Sequence, residues 1–172
     1  CTWNNMSRAG EKMDNEDFFT FSEYMKKEYD TLTASMEDYL EMIYRLSEQI
    51  GFTRIHDLAK SLNVQPPSAT KMVQKLSEFK FVNYEKYGII ILTDEGKKMG
   101  KYLLNRHNII EGFFKVLGIS DGLLEQTEKV EHTISNETVE YLRDFIAFIQ
   151  ERPDIISDFD MFRKNVKKNE EL

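Results

Sequence analysis

Two short amphipathic segments separated by only two residues constrain the fold of this chain most strongly. The first, TRIHDLAKSLN, carries its apolar side chains at helical spacing and ends at Asn63. The second, PSATKMVQKLSEFK, follows Val64 and Gln65 and begins at Pro66 and Pro67, where a missing N–H donor costs nothing. Its inward stripe consists of Ala69, Met72, Val73 and Leu76. Two short helices joined by a tight turn predict a helix-turn-helix.

The segments on either side extend this motif into a larger domain. SMEDYLEMIYRLSEQ, which precedes it, has the apolar spacing of a helix, and Ser35 is its expected N-cap. FVNYEKYGIIILT, which follows it, has the aromatic and β-branched content of two strands with a turn at Tyr87 and Gly88. Because a hairpin in this place forms a wing, residues 31–100 are predicted to be a winged helix-turn-helix domain.

Helical patterns occupy the remainder of the chain. DEGKKMGKYLLNRHNIIEGFFKVLG predicts a long helix with Thr93 as its N-cap. A further helix is expected to be capped by Ser120 or Asp121 and to run to about His132, and two more helical segments follow it. Residues 101–172 are therefore predicted to form an all-helical domain. The expected fold class is mainly α, with a small β-hairpin as the wing.

The net charge of −7 is unevenly distributed along the chain. Residues 53–101 hold nine basic and five acidic side chains, so this segment carries +4 and the rest of the chain carries −11. Phosphate contacts dominate the affinity of proteins for DNA. A positive face on an otherwise acidic protein is therefore consistent with DNA docking.

Several classes of protein are excluded by the sequence. No apolar run approaches the roughly 20 residues that span a bilayer, and the first thirty residues lack the apolar centre of a signal peptide, so we expect a cytoplasmic protein without a membrane partner. Cys1 is the only cysteine, which excludes an intrachain disulfide and zinc sites built from several cysteines. Residues 1–30 are interpreted as an N-terminal extension, either disordered or an extra helix.

Six side chains that could bind metal lie in three groups on either side of the helix-turn-helix. The groups are Asp38 with Glu41, then His107, then Glu128 with Glu131 and His132. Spacings of three and four residues place the members of each group on one helical face. Taken singly, each acidic group is also typical of a solvated helix face. A lone histidine beside the apolar stretch IIEGFF is also typical of a hydrogen-bonded core residue.

The combination favours a metal site more than any one group does. It contains two of the three histidines of the chain, and its four carboxylates would balance the charge of two divalent cations. An oxygen-rich set with two imidazoles and no sulfur suits Mn²⁺ or Fe²⁺ better than copper or structural zinc. A binuclear manganese or iron site is therefore a reasonable prediction.

Five stretches of the chain carry a family resemblance. They are SMEDYLEMIY in the first helix, PPSATKMVQKL in the recognition helix, YEKYGIIILT in the wing, GKKMGKYLLNRH in the long helix and EKVEH in the helix that follows. Together they resemble the diphtheria toxin repressor family, and within it the manganese transport regulators. The resemblance runs from about Ser35 to Gln150, which is about two-thirds of the chain.

The resemblance implies that all six side chains are metal ligands of a binuclear Mn²⁺ site, with Fe²⁺, Co²⁺, Zn²⁺ or Cd²⁺ as substitutes. In the iron-responsive branch a methionine stands at the position of Asp38 and a cysteine at that of Glu128, so these two residues favour manganese. The resemblance also implies a homodimer formed by the helices near 102–117 and 136–149. The SH3-like third domain of the larger iron regulators is not expected, because only about twenty residues follow Pro153.

The recognition helix and the wing are expected to supply the contacts to DNA. In a helix-turn-helix, outward residues near the start of the second helix meet base edges and phosphates in the major groove. The expected DNA contacts are Gln65, Pro67, Ser68, Thr70, Lys71, Gln74, Lys75, Lys86 and Tyr87. For Lys86 and Tyr87 in the wing, an ordinary structural role is an equal alternative.

The function implied is metal-dependent repression of metal-uptake genes by a homodimer that binds double-stranded operator DNA. An enzyme with a di-metal site would use similar ligands, but it would leave the helix-turn-helix unexplained, so no catalytic residue and no small-molecule substrate are expected. Two alternatives stay open: an iron-responsive repressor of the same family, and a winged-helix regulator that metal does not control.

Overall fold

The computed structural model describes residues 32–170, with side chains to residue 166, so the N-terminal extension expected at residues 1–30 lies outside the described residues. The described part contains seven α-helices and three short strands. In chain order these are α1 (Ala34–Ser47), β1 (Thr53–Arg54), α2 (Ile55–Ser61), α3 (Pro66–Glu78), β2 (Val82–Tyr84), β3 (Ile89–Leu92), α4 (Asp94–Val116), α5 (Leu123–Glu131), α6 (Asn136–Gln150) and α7 (Pro153–Glu170). The predicted fold class, mainly α with a small β wing, is confirmed.

Helix α1 forms as its apolar spacing predicts, but its N-cap, Thr33, lies two residues before the predicted one. Thr33 has an extended backbone, and its side-chain oxygen accepts a hydrogen bond from the amide of Met36 at 3.4 Å. Ser35 lies inside the first turn, so its prediction as the N-cap is wrong. Both hydroxyls can cap a helix, and Ala34, a strong helix former, allows the helix to start earlier. The buried face of α1 carries Met36, Tyr39, Leu40 and Ile43.

The predicted helix-turn-helix consists of α2 and α3, and the predicted hairpin consists of β2 and β3. The sheet has a third strand that the sequence pattern missed: β1 pairs antiparallel with β3, so that the strand order is β1-β3-β2. Residues 53 and 54 were expected to begin the second helix. A two-residue strand has no hydrophobic period of its own, and only its pairing with Ile89 and Ile90 creates it. The wing turns at Tyr87 and Gly88 as predicted, with φ of 64° and 74°.

The long helix α4 starts where the sequence predicts. The hydroxyl oxygen of Thr93 accepts from the amide of Gly96 at 3.0 Å, and the hydroxyl donates to the carbonyl of Lys80 at 2.7 Å. Ser120 or Asp121 was expected to cap helix α5, and this expectation is wrong. The N-cap of α5 is Gly122, which has a left-handed backbone (φ 64°) and no side chain that could cap the helix. No helix among residues 32–170 combines the length and the apolar character required to cross a bilayer.

The close packing of α1 against α4 positions the candidate ligands. These two helices form the most extensive helix–helix contact among the described residues. Gly100 lies at their crossing, where an added Cβ would be 2.5 Å from the Cβ of Tyr44. Since two carbon atoms cannot approach this closely, α1 can lie at this distance from α4 only because residue 100 has no side chain. Asp38 and Glu41 on α1 are thereby brought towards His107 on α4.

We predict that Gly100→Ala lowers the free energy of unfolding by about 1–3 kcal/mol, because the added methyl group overpacks the contact between α1 and α4. Gly112→Ala is the matched control in the same helix, since an added Cβ there meets only Ile146 Cδ1, at 3.6 Å. The control should leave stability unchanged or raise it by up to about 1 kcal/mol through helix propensity. Urea unfolding in EDTA at one fixed protein concentration measures both changes. Equal changes in the two variants would contradict the role given to Gly100.

Candidate metal centre

Three helices bring all six predicted ligands together. Helix α1 contributes Asp38 and Glu41, α4 contributes His107, and the end of α5 contributes Glu128, Glu131 and His132. Their donor atoms form two groups, and within each group all of the donor atoms lie within 4.8 Å of one another. The first group is Asp38, Glu128, Glu131 and His132, and the second is Glu41, His107 and Glu131. The carboxylate of Glu131 belongs to both groups.

In the first group, His132 lies between two helices. Its Nε2 atom is 2.8 Å from Oδ1 of Asp38 and 3.7 Å from Oε1 of Glu131. Two ligand atoms that bind one cation at about 2.1 Å and at right angles are about 3.0 Å apart, so these separations suit a shared cation. Asp38 Oδ1 is buried and lies against the ion-paired Nε2 of His132, with which it makes no hydrogen bond of good geometry. A buried carboxylate oxygen beside an imidazole nitrogen that can also bind metal fits a divalent cation.

The second group is buried more deeply. Its members Glu41, His107 and Glu131 are 8%, 3% and 2% exposed. His107 Nδ1 lies 2.8 Å from Oε2 of Glu131 and 3.8 Å from Oε1 of Glu128. Because a carboxylate can only accept, Nδ1 donates to Glu131 in this arrangement. Buried carboxylates are rare without a cation or a donor beside them, so this group is an unusual one for a protein interior.

The electrostatics of the carboxylates agree with this geometry. Burial raises the pKa of Glu41, although the charges of Arg45 and His107 oppose the rise. Burial and then the charge of Glu131 also raise the pKa of Glu128. Burial lowers the pKa of His107, but the hydrogen bond and charge of Glu131 outweigh it, and the pKa is raised. Burial and mutual repulsion therefore disfavour the ionised carboxylates, and the nearby positive charges offset part of this free-energy cost.

Glu37 is a neighbour of the centre that the sequence analysis missed. Its Oε2 atom lies 2.8 Å from Nδ1 of His132, on the opposite side of the ring from Asp38. The carboxylates of Asp38 and Glu37 together raise the pKa of His132 to about 10. Burial opposes ionisation of Glu37, but the hydrogen bond from His132 and the charge of Arg106 outweigh it, and the pKa of Glu37 is lowered.

Arg106 holds Glu37 in place and was also missed. Its Nη2 atom donates to Oε2 of Glu37 at 2.7 Å, and the residue is only 6% exposed. Because Glu37 is on α1 and Arg106 is on α4, this ion pair links the same two helices as the candidate ligands do. Glu37 and Arg106 each immediately precede a predicted ligand, Asp38 and His107. No local pattern, however, pairs residues that are 69 positions apart in the chain.

Arg45 is the third residue that the sequence analysis missed. It lies one turn after Glu41 on α1, and its Nη2 and Nε atoms are 2.5 Å and 2.8 Å from Oε1 of Glu41. A spacing of four residues between Glu and Arg is a signal that could have found this pair in the sequence. One carboxylate of the second group thus has a cationic partner that enters from the protein surface.

The expected DNA contacts lie on α3, on the residue before it and at the tip of the wing. Eight of the nine are exposed, and Thr70 is half-buried with its hydroxyl donating to the carbonyl of Pro66 at 2.9 Å. The opposite face of α3 buries Ala69, Val73 and Leu76. Tyr87 is 91% exposed at the tip of the wing. The exposed positions leave these side chains accessible, and their role in DNA binding stays a prediction.

The chain matches two family models in series. The model described as iron dependent repressor, N-terminal DNA binding domain, matches residues 31–90. The model described as iron dependent repressor, metal binding and dimerisation domain, matches residues 93–160. The second match covers four of the six candidate ligands, and the first covers Asp38 and Glu41.

Known regulators resemble the chain over most of its length. The HTH-type transcriptional regulator MntR of Shouchella clausii (strain KSM-K16) is 41% identical over 133 residues, which is 77% of this chain and 93% of that protein. MntR of Bacillus subtilis (strain 168) is 41% identical over 120 residues, which is 69% of this chain and 84% of that protein.

Solved structures agree with this assignment. The manganese regulator SloR superposes with a TM-score of 0.59 at 33% identity, over 68% of this chain and 55% of the SloR chain. ScaR with bound Zn²⁺ gives a TM-score of 0.56 at 31% identity, over 66% of this chain and 54% of the ScaR chain. The chain thus spans little more than half the length of these two solved chains.

The resemblance inferred from the sequence is therefore confirmed by sequence profiles, by relatives and by fold. The chain belongs to the iron-dependent repressor family, whose members are transcriptional regulators with a DNA-binding domain and a metal-binding and dimerisation domain, and not enzymes.

Proposed function

We propose that this protein is a manganese-responsive repressor, in which Mn²⁺ at the junction of α1, α4 and α5 strengthens binding to operator DNA and represses metal-uptake genes. The observation that carries the proposal is the position of Glu131, whose buried carboxylate belongs to two groups of candidate ligands from three helices. Ligands drawn from separate helices allow the free energy of metal binding to act on the arrangement of those helices.

The proposed centre is binuclear. Asp38, Glu128, Glu131 and His132 would hold one cation, and Glu41, His107 and Glu131 would hold the other, with Glu131 shared between them. A bound pair of divalent cations supplies the positive charge that allows four carboxylates to lie together. The shared use of Glu131 is supported by the proximity of its two oxygens to different histidines: Oε2 faces His107 and Oε1 faces His132.

The donor set supports manganese as the physiological metal. It consists of carboxylates and imidazoles without sulfur, which favours harder cations such as Mn²⁺ and Fe²⁺. SloR is described as a manganese regulator and ScaR as a manganese-activated repressor, and ScaR has been solved with Zn²⁺ and with Cd²⁺. We therefore propose Fe²⁺, Co²⁺, Zn²⁺ and Cd²⁺ as substitutes. Because Fe²⁺ has similar donor preferences, an iron-responsive repressor is the second candidate.

The proposed partner molecules are double-stranded operator DNA and a second copy of the chain. The exposed residues of α3 and of the wing tip would contact DNA, in a winged domain proposed to span residues 31–100. Helix α6, in the proposed helical domain at residues 101–172, exposes Tyr141, Phe145 and Phe148, which supports a dimer contact there. A dimer places two recognition helices on two half-sites of one operator. A protein that binds an operator acts in the cytoplasm of a bacterial cell.

In the proposed mechanism, α1 transmits the state of the centre to the DNA-binding domain. Asp38 and Glu41 belong to α1, which also packs against α2 and α3. Cations held by these carboxylates and by the ligands on α4 and α5 would give the recognition helix a defined position relative to the dimer contact. In EDTA the carboxylates repel one another, so binding to DNA must also order these helices. Linkage requires that operator DNA tighten metal binding by the same factor.

We predict that Mn²⁺ tightens DNA binding by at least tenfold, about 1.4 kcal/mol, relative to EDTA. Fluorescence anisotropy measures this change with a labelled duplex selected from a random library in the presence of Mn²⁺, at constant ionic strength. Glu131→Gln should abolish the difference because both groups lose their shared carboxylate. Glu125→Gln, on the exposed face of the same helix, should retain it. Tight binding that is equal in EDTA and in Mn²⁺ would instead favour a winged-helix regulator without metal control.

We predict that Glu37→Ala weakens Mn²⁺ binding by about 10- to 100-fold, because Glu37 accepts from Nδ1 of His132 and so directs Nε2 towards Asp38. Glu37→Gln retains an acceptor oxygen and should cause a smaller loss. The signal of free Mn²⁺ in EPR measures the affinity, and circular dichroism checks that each variant is folded. Folded variants with unchanged affinity would show that Glu37 serves only its ion pair with Arg106.

We predict a pH dependence of stability in EDTA from the raised pKa of His132. Its pKa is about 10 in the folded protein and 6.5 ordinarily, so its stabilising contribution is complete below about pH 6.5 and is lost as the pH rises towards 10. The stability advantage of wild type over His132→Gln should therefore shrink between pH 7 and pH 10. Urea unfolding across that range, at one protein concentration, measures the difference. A constant difference would contradict the ion pairs of His132 with Asp38 and Glu37.

A further inference from the structure

Arg45 reaches the second group of candidate ligands from the surface of α1. Two of its nitrogens lie 2.5 Å and 2.8 Å from one oxygen of Glu41, while 37% of its side chain is exposed. Glu41 itself is buried, with 11% of its side chain exposed. The guanidinium therefore serves as the cationic partner of a buried carboxylate, and it does so from a position where it can also move into solvent.

The contact affects the two groups of ligands unequally. Glu41 is the only member of the second group that α1 supplies, and Arg45 follows it by one turn. Asp38, the member of the first group on α1, is seven residues from Arg45, which is about 10 Å along a helix axis. The pKa values of Glu41 and His107 are both raised, and the charge of Arg45 opposes each rise, so this charge acts on two of the three members of the second group.

A cation at the second group would meet Arg45 in two ways. It would share or displace the guanidinium at Glu41 Oε1, and it would experience repulsion from a positive charge at the edge of a buried site, where Coulomb forces are poorly screened. Carboxylate contacts with Arg are charge-assisted and strong, so releasing one is costly. A cation that binds the first group would not have to displace Arg45.

We propose that Arg45 is a built-in competitor for the second cation, so that the two sites fill in order and Arg45 sets the metal concentration at which the second site fills. This inference rests on the proposed binuclear function and deepens it. The first cation binds at Asp38, Glu128, Glu131 and His132 without involving Arg45. The second cation binds only as Arg45 gives up or shares Glu41, and full ordering of α1 against α4 and α5 then follows.

The test is a titration of the full chain with Mn²⁺ as the probe, in wild type and three variants. Arg45→Gln removes the charge and the guanidinium, whereas Arg45→Lys retains a charge. Lys129→Gln is the matched control, because it removes the same charge from an exposed pair with Glu125 on the helix that carries Glu128. Free Mn²⁺ measured by EPR, together with calorimetry, gives the stoichiometry and the two dissociation constants. The ¹⁵N–¹H NMR signal of the Arg45 Nε group reports the contact with Glu41. This signal is assigned by its disappearance from the spectrum of Arg45→Gln.

In wild type we expect two binding steps, the second weaker by at least tenfold. Arg45→Gln should tighten the second step by about tenfold, which is about 1.4 kcal/mol, and change the first by less than threefold. The dissociation constant of the second step in Arg45→Lys should lie between those of wild type and Arg45→Gln. Lys129→Gln should match wild type in both steps. The Nε signal of Arg45 should stay in place with the first equivalent of Mn²⁺ and shift with the second.

Three results would overturn the inference. They are equal changes in both steps in Arg45→Gln, no change in the second step, and an Nε signal that moves with the first equivalent. If wild type binds Mn²⁺ and its DNA affinity responds, any of these leaves the proposed function standing. If wild type binds no Mn²⁺ and its DNA affinity is the same in EDTA, then the proposed function fails and the inference about Arg45 fails with it.

Discussion

The burial of Glu131 among three other carboxylates is the constraint around which this fold is arranged. A carboxylate that is 2% exposed requires donors or cations at contact distance, and these come from different helices. His107 approaches from α4, His132 from the end of α5, and the carboxylates of α1 complete the surroundings. The close crossing at Gly100 makes this possible, because a wider separation of α1 and α4 would leave Glu131 with partners on one side only.

The ion pair between Glu37 and Arg106 gives α1 and α4 a link that does not depend on metal. It is largely buried, with 7% of the Arg106 side chain exposed, so removing one partner would leave an uncompensated buried charge and would be costly. Metal therefore does not have to assemble the junction from separate parts. In the proposed mechanism it acts on helices that already meet, and its free energy would go into the finer position of α1 and hence of the recognition helix.

The sequence predicts the fold and the six residues of the centre better than it predicts their surroundings. Helical spacing groups ligands within one helix, such as Glu128, Glu131 and His132, and the family resemblance extends this to groups on other helices. Thr33, and not Ser35, caps α1. Both residue types favour the N-cap position, so the local sequence does not distinguish them. Strand β1 and the Glu37–Arg106 pair were missed because long-range pairing creates them. Arg45 is different, since its spacing from Glu41 was visible but the burial of Glu41 was not.

Three of the positive side chains at the centre would respond to metal in different ways. Arg106 pairs with Glu37, which is not a candidate ligand. Burial lowers the pKa of Arg106, but the charge of Glu37 outweighs burial and the pKa is raised, so Arg106 keeps its charge and its place beside Glu37. His132 carries its charge as a proton and must lose it to ligate through Nε2. Arg45 can lose neither its proton nor its charge and can only move. Replacing the charges of His132 and Arg45 with two cations would therefore need deprotonation of His132 at the first group and displacement of Arg45 at the second, and these two steps would respond separately to pH and to metal concentration.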